Sequence, residues 1–275
     1  MRVPFYKYEG AGNDFLVVEK DALSGVDLTP AQAMSLCDRH KGVGGDGVLT
    51  VDVASPSMAV INSDGSVPEM CGNGVRCVAL HLARVMGATH LELDVETLAG
   101  PQTCAVERDG DDGLVTVEMN PASLAPSDIG LRSEEPWIDR ALRVEDHDLQ
   151  LTAVSMGNPH VVIFDAVGDA RFALATALQN DPQFANGVNV GFVSELGPDS
   201  FRLDVCERGA GWTQACGTGA AAAVTAAVET GRVSAGHSVS VTLPGGTLRI
   251  TPRETGTPIE MRGPARFVFG GEVTL

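Results

Sequence analysis

Short runs of apolar and β-branched residues recur along the chain, separated by turns rich in glycine, proline and aspartate. Runs of this length and composition predict β-strands. In the first half of the chain the runs are FLVVE, VLTVDV, MAVIN, LELDVE and LVTVEM; in the second half they are VVIF, VNVGFV, FRLDV, SVSVTL and LRITP. A last run, ARFVFGGEVTL at residues 265–275, is expected to return to the first sheet and complete it.

Two longer stretches depart from this pattern and predict helices, and each begins with Cys-Gly-x-Gly. Cys71 opens CGNGVRCVALHLARVMG, and Cys216 opens CGTGAAAAVTAAVETG. The second stretch is rich in alanine and carries no charge before Glu229. A helix without a polar face is expected to be buried. We therefore expect a curved sheet to surround one central helix in each half of the chain.

The two cysteine motifs are 145 residues apart, and other polar positions share that offset. The matching pairs are Asn13 with Asn158 and Asn62 with Glu207. Further along, ETLAGP at residues 96–101 resembles VTLPGG at residues 241–246. One offset that aligns several polar positions indicates an internal repeat of two homologous halves.

The repeat predicts an α/β fold, of the α+β kind, with two pseudo-symmetric domains. Each domain is expected to be a mostly antiparallel sheet or barrel wrapped round a central helix. The expected N-terminal domain comprises residues 1–120 with 265–275, and the expected C-terminal domain comprises residues 121–264. The join falls near residues 121–136, where proline and serine are frequent and the strand periodicity lapses.

Residues 42–47, GVGGDG, match the glycine pattern of a dinucleotide-binding loop. That loop requires a strand before it and a helix after it. Here AQAMSLCDRHK at residues 31–41 predicts a helix before the glycines, and a predicted strand follows them. The glycines therefore indicate a helix end that turns into a strand, rather than nucleotide binding.

The formal net charge of −17 argues against binding to nucleic acid or to an anionic membrane surface. The chain starts without an apolar secretory segment and has no run of about 18 apolar residues, so cytoplasm is the expected location. Its six cysteines are scattered and its histidines dispersed, without the ligand spacing of a zinc site. Four of the six cysteines are therefore expected to be buried or free thiols in a reducing compartment.

A cysteine at the start of a helix is suited to acid–base chemistry. The unpaired N–H groups of the first turn and the helix dipole favour an anion, and should lower the thiol pKa from about 8.5 towards neutrality. The same N–H groups can bind a substrate carboxylate. The alternative for one such motif is a small residue at a tight helix entry. Two repeat-related copies favour chemistry, in which one thiolate removes a proton from a carbon and the opposing thiol delivers another.

Six motifs identify the chain as resembling the diaminopimelate epimerase family: GAGNDF, RHKGVGGDG, NSDGSVPEMCGNG, MGNPH, GVNVGF and ERGAGWTQACGTGA. The resemblance extends along essentially the whole chain. It implies two pseudo-symmetric α/β domains and the interconversion of LL- and meso-diaminopimelate without pyridoxal phosphate, another cofactor or a metal. It also implies a role in lysine and cell-wall precursor synthesis and a homodimer.

The resemblance also implies roles for individual residues. Cys71 would act on the LL-isomer and Cys216 on the meso-isomer. The helix starts would bind the reacting carboxylate, through Gly72, Asn73, Gly217 and Thr218. Other positions match residues that bind substrate, and these are Asn13, Asn62, Asn158, Asn189, Glu207 and Arg208. His160 and Glu207 resemble residues that tune the thiol pKa values.

The chain departs from the family pattern at three positions. Val67 stands where many members carry glutamate, and Trp212 where they carry glutamate or a small residue. Gly47 stands where some members have a glutamine that contacts substrate. The glutamine contact is therefore expected to be absent or made by the backbone, and Trp212, four residues before Cys216, is expected to affect substrate preference rather than the reaction.

Three other functions remain open from the sequence. A related racemase acting on proline, hydroxyproline or histidine would not require Asn158, Asn189 and Arg208 to hold a second amino-acid centre. A non-catalytic amino-acid-binding protein would not require both cysteines. A thiol–disulfide redox protein is disfavoured because Cys71 and Cys216 are far apart in sequence and lie in anion-binding loops.

Overall fold

In the computed structural model, which describes residues 1–254 and 256–275, the chain forms two compact units. The first unit comprises residues 1–118 with 262–275, and the second comprises residues 119–261. Each unit is a sheet packed around one long helix.

The first unit alternates strands and helices in its N-terminal part. Their bounds are β1 (Arg2–Gly10), β2 (Asn13–Glu19), α1 (Pro30–Cys37), β3 (Gly47–Asp52), β4 (Ser57–Asn62), α2 (Gly72–Val85), β5 (His90–Thr97), β6 (Gly100–Asp109) and β7 (Asp112–Met119). The last strand of the chain, β16 (Ile259–Thr274), begins in the second unit and continues into the first.

The sheet of the first unit closes on itself. Its strand order is β1-β2-β3-β4-β5-β6-β7-β16, and β16 also pairs with β1. That last pairing is antiparallel, with Arg2 opposite Thr274 and Tyr6 opposite Gly270. The prediction that the C-terminal run returns to the first sheet is therefore confirmed, and closure leaves the barrel without a free edge.

The second unit has the following elements before β16. They are α3 (Pro126–Ile129), β8 (Arg140–Val144), β9 (His147–Ser155), β10 (Pro159–Ile163), α4 (Arg171–Gln179), β11 (Asn189–Gly197), β12 (Ser200–Glu207), β13 (Gly211–Trp212), α5 (Gly217–Glu229), β14 (Val239–Leu243) and β15 (Gly246–Thr251). The sheet runs β8-β9-β10-β11-β12-β14-β15 and ends on the first residues of β16, while β13 pairs with β12.

The two sheets share one pattern of strand directions. In the first unit, β2 pairs in parallel with β3, and β4 with β5. In the second unit, β10 pairs in parallel with β11, and β12 with β14. The remaining described pairings within the two sheets are antiparallel, for example β1 with β2 and β9 with β10. The apolar runs predicted as strands lie in strands to within one residue at each end.

The predicted helix at residues 31–41 is shorter in the structure, since α1 ends at Cys37. Asp38 leaves the helical region, and its Oδ1 accepts the backbone N–H groups of His40 and Lys41, both at 2.8 Å. An aspartate side chain that accepts hydrogen bonds from the backbone N–H groups of the residues that follow it competes with the hydrogen bonds that would continue the helix. Sequence periodicity alone overlooked this turn.

The glycine-rich loop after α1 donates hydrogen bonds to the carbonyl groups at the end of that helix. The N–H groups of Val43 and Gly44 donate to the Leu36 carbonyl at 2.9 and 3.0 Å, and that of Gly45 donates to the Cys37 carbonyl at 3.1 Å. The strand β3 follows directly. The prediction of a helix end turning into a strand is thus confirmed.

The two central helices are buried nearly all round. Residues 73–83 of α2 are all buried, as are residues 219–227 of α5. The small alanine side chains of α5 allow β9, β10, β11, β12 and β15 to pack against it. The prediction of a buried helix after Cys216 is confirmed. Among the described residues, no helix combines the length and apolar character needed to cross a membrane.

Candidate active site

Cys71 and Cys216 both occupy the position that caps the start of a central helix. Their backbones are extended, with φ and ψ of −138° and 112° at Cys71 and −132° and 104° at Cys216. The Cys71 carbonyl accepts the N–H of Val75 at 2.8 Å, and the Cys216 carbonyl accepts that of Ala220 at 3.0 Å. The helix starts predicted from the two Cys-Gly-x-Gly motifs are therefore present in both units.

The Cys216 thiol receives hydrogen bonds from its own helix start. The N–H of Gly219 donates to Sγ at 3.3 Å, and the Thr218 hydroxyl oxygen lies 3.5 Å from Sγ. Burial nevertheless raises the pKa of this thiol, and the neighbouring Glu207 carboxylate raises it further. The hydrogen bonds from Thr218 and Gly219 lower it, but by less.

The expectation that the helix start brings the Cys216 pKa towards neutrality is therefore wrong. The residue is only 4% exposed, so the cost of removing a thiolate from water exceeds the stabilisation by the helix N–H groups. Cys216 is a protonated thiol, suited to donate a proton.

A chain of side-chain hydrogen bonds connects Cys216 to a buried histidine in the second unit. The Thr218 hydroxyl accepts Nδ2–H of Asn158 at 3.3 Å, and Oδ1 of Asn158 lies 3.0 Å from Nε2 of His160. The order is therefore His160, Asn158, Thr218 and Cys216. Four of the predicted site residues are brought together by this chain.

His160, the first residue of this series of hydrogen bonds, is neutral. Burial lowers its pKa to about 3, and the positive charge of Arg208 acts in the same direction. A neutral imidazole carries one N–H, and the Asn158 carbonyl oxygen can only accept. The proton therefore lies on Nε2, and His160 donates to Asn158.

Glu207, Arg208 and Asn189 lie near the end of β12, where Asn189 contacts the Arg208 backbone. The Thr213 hydroxyl donates to Oε1 of Glu207 at 2.5 Å. The Asn189 carboxamide accepts the backbone N–H of Arg208 at 2.8 Å and donates to the Pro159 carbonyl at 3.0 Å. Asn189 thus ties the end of β12 to the start of β10, while the Arg208 side chain is exposed.

The first unit repeats one of these contacts at equivalent positions. Nδ2 of Asn73 donates to Oδ1 of Asn13 at 3.2 Å, which corresponds to the contact between Thr218 and Asn158. Asn73 is the second residue of α2, after Gly72. Asn62 lies at the end of β4, where its Nδ2 donates to Oγ of Ser66 at 2.9 Å.

An ionic cluster lies behind Asn13, and sequence reasoning missed it. Oδ2 of Asp46 accepts Nδ2–H of Asn13 at 2.5 Å. Nη2 of Arg39 contacts Oδ1 of Asp46 at 2.9 Å and Oδ1 of Asp14 at 2.5 Å, and Nζ of Lys7 contacts Oδ2 of Asp14 at 2.5 Å. The available signal was the GVGGDG motif, which contains Asp46.

The three departures from the family pattern have distinct surroundings. The Trp212 ring packs edge-on against Phe172 at 5.1 Å between centroids and stacks on Phe192 at 6.1 Å. Val67 is 52% exposed. A side chain at Gly47 would place its Cβ 2.9 Å from the Ile61 carbonyl oxygen, so the backbone here is fitted to glycine.

Within residues 1–254 and 256–275, no group of three or more histidine, cysteine, aspartate or glutamate side chains is arranged to hold a metal ion.

Comparisons with known proteins agree with this geometry. A sequence model of the family described as diaminopimelate epimerase matches residues 5–125 and 152–268. A diaminopimelate epimerase from Acaryochloris marina is 40% identical over 286 aligned residues, which cover 98% of each chain. A diaminopimelate epimerase from Desulforudis audaxviator is 42% identical over 274 residues, again with 98% of each chain covered. The chain belongs to the diaminopimelate epimerase family.

The fold is shared more widely than the family. A hydroxyproline epimerase from Agrobacterium vitis, solved with bound trans-4-OH-L-proline, matches with a TM-score of 0.68 at 15% identity. The match covers 100% of this chain and 93% of that one. The predicted α/β fold class is thereby confirmed, since likeness at this identity reports on architecture.

Proposed function

We propose that the protein is a diaminopimelate epimerase that interconverts LL- and meso-diaminopimelate by proton transfer at one α-carbon. The observation that carries the proposal is the pair of repeat-related cysteines, each capping a buried central helix. The proposed substrate is supported by relatives named diaminopimelate epimerase, which are 40% and 42% identical to this chain with 98% of each chain covered.

Cys71 and Cys216 are the proposed acid–base pair. In the LL-to-meso direction the Cys71 thiolate takes the α-proton, its C–H electron pair remains on carbon, and the Cys216 thiol delivers a proton to the opposite face. In the other direction the roles reverse. The raised pKa of Cys216 supports its part as proton donor in the first direction.

The helix starts are proposed to stabilise the negative charge that develops during the reaction. The first-turn N–H groups at Gly72, Asn73, Gly217 and Thr218 can bind the carboxylate attached to the reacting carbon. Fixed N–H donors aimed at a developing anion are among the strongest contributions to catalysis. This explains how an α-proton can be removed without an electron-withdrawing cofactor, and we propose none.

Other site residues are proposed to bind and orient the substrate. Those in the first unit are Asn13 and Asn62. Those in the second unit are Asn158, Asn189, Glu207 and Arg208. An exposed guanidinium at Arg208 suits a second carboxylate. His160 and Glu207 are proposed to act on the Cys216 thiol, the first through Asn158 and Thr218 and the second by direct contact.

We further propose that the two units are the two repeated domains, and that the protein is a cytoplasmic homodimer acting on a small molecule. Nucleic acid and membrane are not proposed partners, in keeping with the net charge of −17.

The deciding experiment incubates LL-diaminopimelate with the protein in D₂O under reducing conditions and follows α-deuterium uptake by NMR. We expect formation of the meso-isomer with deuterium at the inverted centre. The variants Cys71→Ala and Cys216→Ala should lose at least about a thousandfold in turnover, as expected when a positioned acid or base is removed. Cys104→Ala removes a buried thiol in β6 and should retain turnover.

Parallel incubations with L-proline, trans-4-hydroxy-L-proline and L-histidine distinguish the alternative racemases. Inversion of one of these, with no exchange in diaminopimelate, would replace the proposed substrate. Near-normal turnover of either catalytic variant would refute the two-cysteine mechanism. Absence of exchange in every substrate would leave only a binding function.

A further inference from the structure

We propose that Asp46 is a positioning residue, which sets the orientation of Asn13 and through it the start of the helix that Cys71 caps. The inference rests on the proposed function, because it concerns the substrate site of the first unit. It gives a role to the GVGGDG loop, which binds no nucleotide in our interpretation.

Asp46 contacts β2, which carries Asn13, and the residue that follows β4, which carries Asn62. Its carboxylate Oδ2 accepts Nδ2–H of Asn13 at 2.5 Å and the backbone N–H of Asp14 at 3.0 Å. Its own N–H donates to the Asp14 carbonyl at 2.7 Å, and its carbonyl accepts the N–H of Ser63 at 2.9 Å. Ser63 directly follows Asn62, so Asp46 holds the start of β2 next to the end of β4.

The loop that carries Asp46 lies close to side chains of β1 and β2, with room only for glycine at position 45. A Cβ at Gly45 would lie 2.8 Å from Cδ1 of Leu16 and 3.1 Å from Nζ of Lys7. Lys7 donates from that Nζ to the Gly44 carbonyl, and its side chain is only 9% exposed. The glycines therefore bring the Asp46 backbone against β1 and β2, where a larger residue would hold it away.

Two cations, Lys7 and Arg39, contact the carboxylates beside Asn13. Arg39 contacts both Asp14 and Asp46 through Nη2. Burial opposes ionisation of Asp14, but hydrogen bonds from Arg39 and Lys7 hold its pKa below the usual range. Asp46 shares the contact with Arg39, through Oδ1 at 2.9 Å.

An acceptor-only partner fixes which way the Asn13 amide points. A carboxylate can accept only the Nδ2–H of Asn13, so Oδ1 of Asn13 is turned towards Asn73. The second unit uses the opposite arrangement, since His160 donates to Oδ1 of Asn158 and Nδ2 is turned towards Thr218. Each orienting residue thus matches the helix-start residue it serves: Asn73 donates and Thr218 accepts.

The test compares Asp46→Asn with Asp52→Asn in the epimerase assay. Asp46 directly precedes β3 and Asp52 is its last residue, where the Asp52 carboxylate accepts turn N–H groups from Ala54 and Ser55, both at 3.0 Å. Asp46→Asn keeps the size but removes the acceptor-only constraint, so the Asn13 amide can flip. We expect kcat/KM to fall by about ten- to a hundredfold, with KM rising, because small misplacements of binding groups are costly. Asp52→Asn should stay within about twofold of the parent.

A double-mutant cycle with Asn13→Ala separates positioning from a general loss of structure. If Asp46 acts through Asn13, Asp46→Asn should cost almost nothing further in the Asn13→Ala background. If the two losses multiply, or if Asp46→Asn epimerises like the parent, the proposal is overturned. A parent enzyme that does not epimerise diaminopimelate would instead refute the proposed function.

Arg39→Gln provides a second route if Asp46→Asn does not fold. The Arg39 side chain is 55% exposed, so its replacement should leave the fold intact while freeing Oδ1 of Asp46 to rotate. A smaller loss of kcat/KM is expected, again absent in the Asn13→Ala background. Parent-like activity of a folded Arg39→Gln together with an unfolded Asp46→Asn would assign the cluster to stability alone.

Discussion

The Thr218 hydroxyl oxygen lies 3.5 Å from Sγ of Cys216 and accepts Nδ2–H of Asn158 at 3.3 Å. Because one lone pair of that oxygen is occupied by Asn158, the hydroxyl hydrogen can point towards the sulfur. This direction lowers the pKa of the Cys216 thiol, against the larger effect of burial. Thr218 therefore stabilises the thiolate form of Cys216, which the proposed mechanism requires in the meso-to-LL direction.

Replacing Thr218 by valine should weaken that stabilisation while keeping the side-chain shape. A hydrogen bond to a charged group contributes about 1.5–3 kcal/mol, so kcat/KM should fall by roughly ten- to a hundredfold. Thr225→Val is the matched control, since its hydroxyl donates at 3.0 Å to the Ala221 carbonyl of the same helix. Equal activity of the two valine variants, measured as kcat/KM for meso-diaminopimelate, would exclude the proposed role of Thr218.

The lowered pKa of His160, to about 3, predicts a dependence of stability on pH. The unfolded chain binds a proton at this histidine below a pH of about 6.5, whereas the folded protein does not until a much lower pH. The contribution of His160 to the free energy of unfolding is therefore fully present above a pH of about 6.5. It falls as the pH decreases towards the pKa of His160 in the folded protein. By pH about 4.5 the loss from this residue is about 3 kcal/mol, because two pH units at about 1.4 kcal/mol each separate that pH from the unfolded pKa.

The measurement is the urea midpoint of the parent and of His160→Gln between pH about 4.5 and 8. The variant lacks the titrating group, so its stability should change less with pH even if its absolute stability is lower. Parallel curves for the two proteins would show that His160 titrates normally in the fold.

Glu207 raises the pKa of the Cys216 thiol by its charge and by accepting a hydrogen bond from it. Glu207→Gln removes the charge, so the pKa of Cys216 should fall. In the LL-to-meso direction, where Cys216 is the proposed proton donor, the basic limb of the pH–rate profile should therefore move to lower pH. The position of the limb is the readout, because loss of substrate contacts would lower only its height. Glu195→Gln, which removes a half-exposed partner of Arg232, should leave the limb in place. An unmoved limb in Glu207→Gln would separate this carboxylate from the thiol.

Much of the fold could be predicted because its signals are local. Strand runs, the alanine-rich helix and the two Cys-Gly-x-Gly starts each depend on residues adjacent in sequence. The end of α1 was misjudged because Asp38 captures the N–H groups of His40 and Lys41, a competition that hydrophobic periodicity does not register.

The site was predicted less completely because its electrostatics depend on contacts distant in sequence. The raised pKa of Cys216 follows mainly from its burial in the folded chain, which no motif reports. The ionic cluster behind Asn13 joins Lys7, Asp14, Arg39 and Asp46 from three separate segments. The internal repeat does not reveal this cluster, because the residue that contacts Asn158 in the second unit is a histidine, His160.

Gly219 offers a test of how closely the Cys216 thiol is packed. A Cβ at this position would lie 3.1 Å from Sγ of Cys216 and 3.1 Å from Cγ2 of Val205. Gly219→Ala should displace the sulfur and lower stability by about 1–3 kcal/mol, as other overpacked sites do.

The displaced thiol should also lower kcat, since reacting groups moved by a fraction of an ångström lose alignment with the substrate. Gly197→Ala, at the end of β11, has no neighbouring atom within 4 Å of the added Cβ and serves as the control. We expect thermal unfolding and kcat of the control to match the parent. If Gly219→Ala also keeps parent-like kcat, the sulfur has room to move at the helix start, and its position there does not limit the reaction.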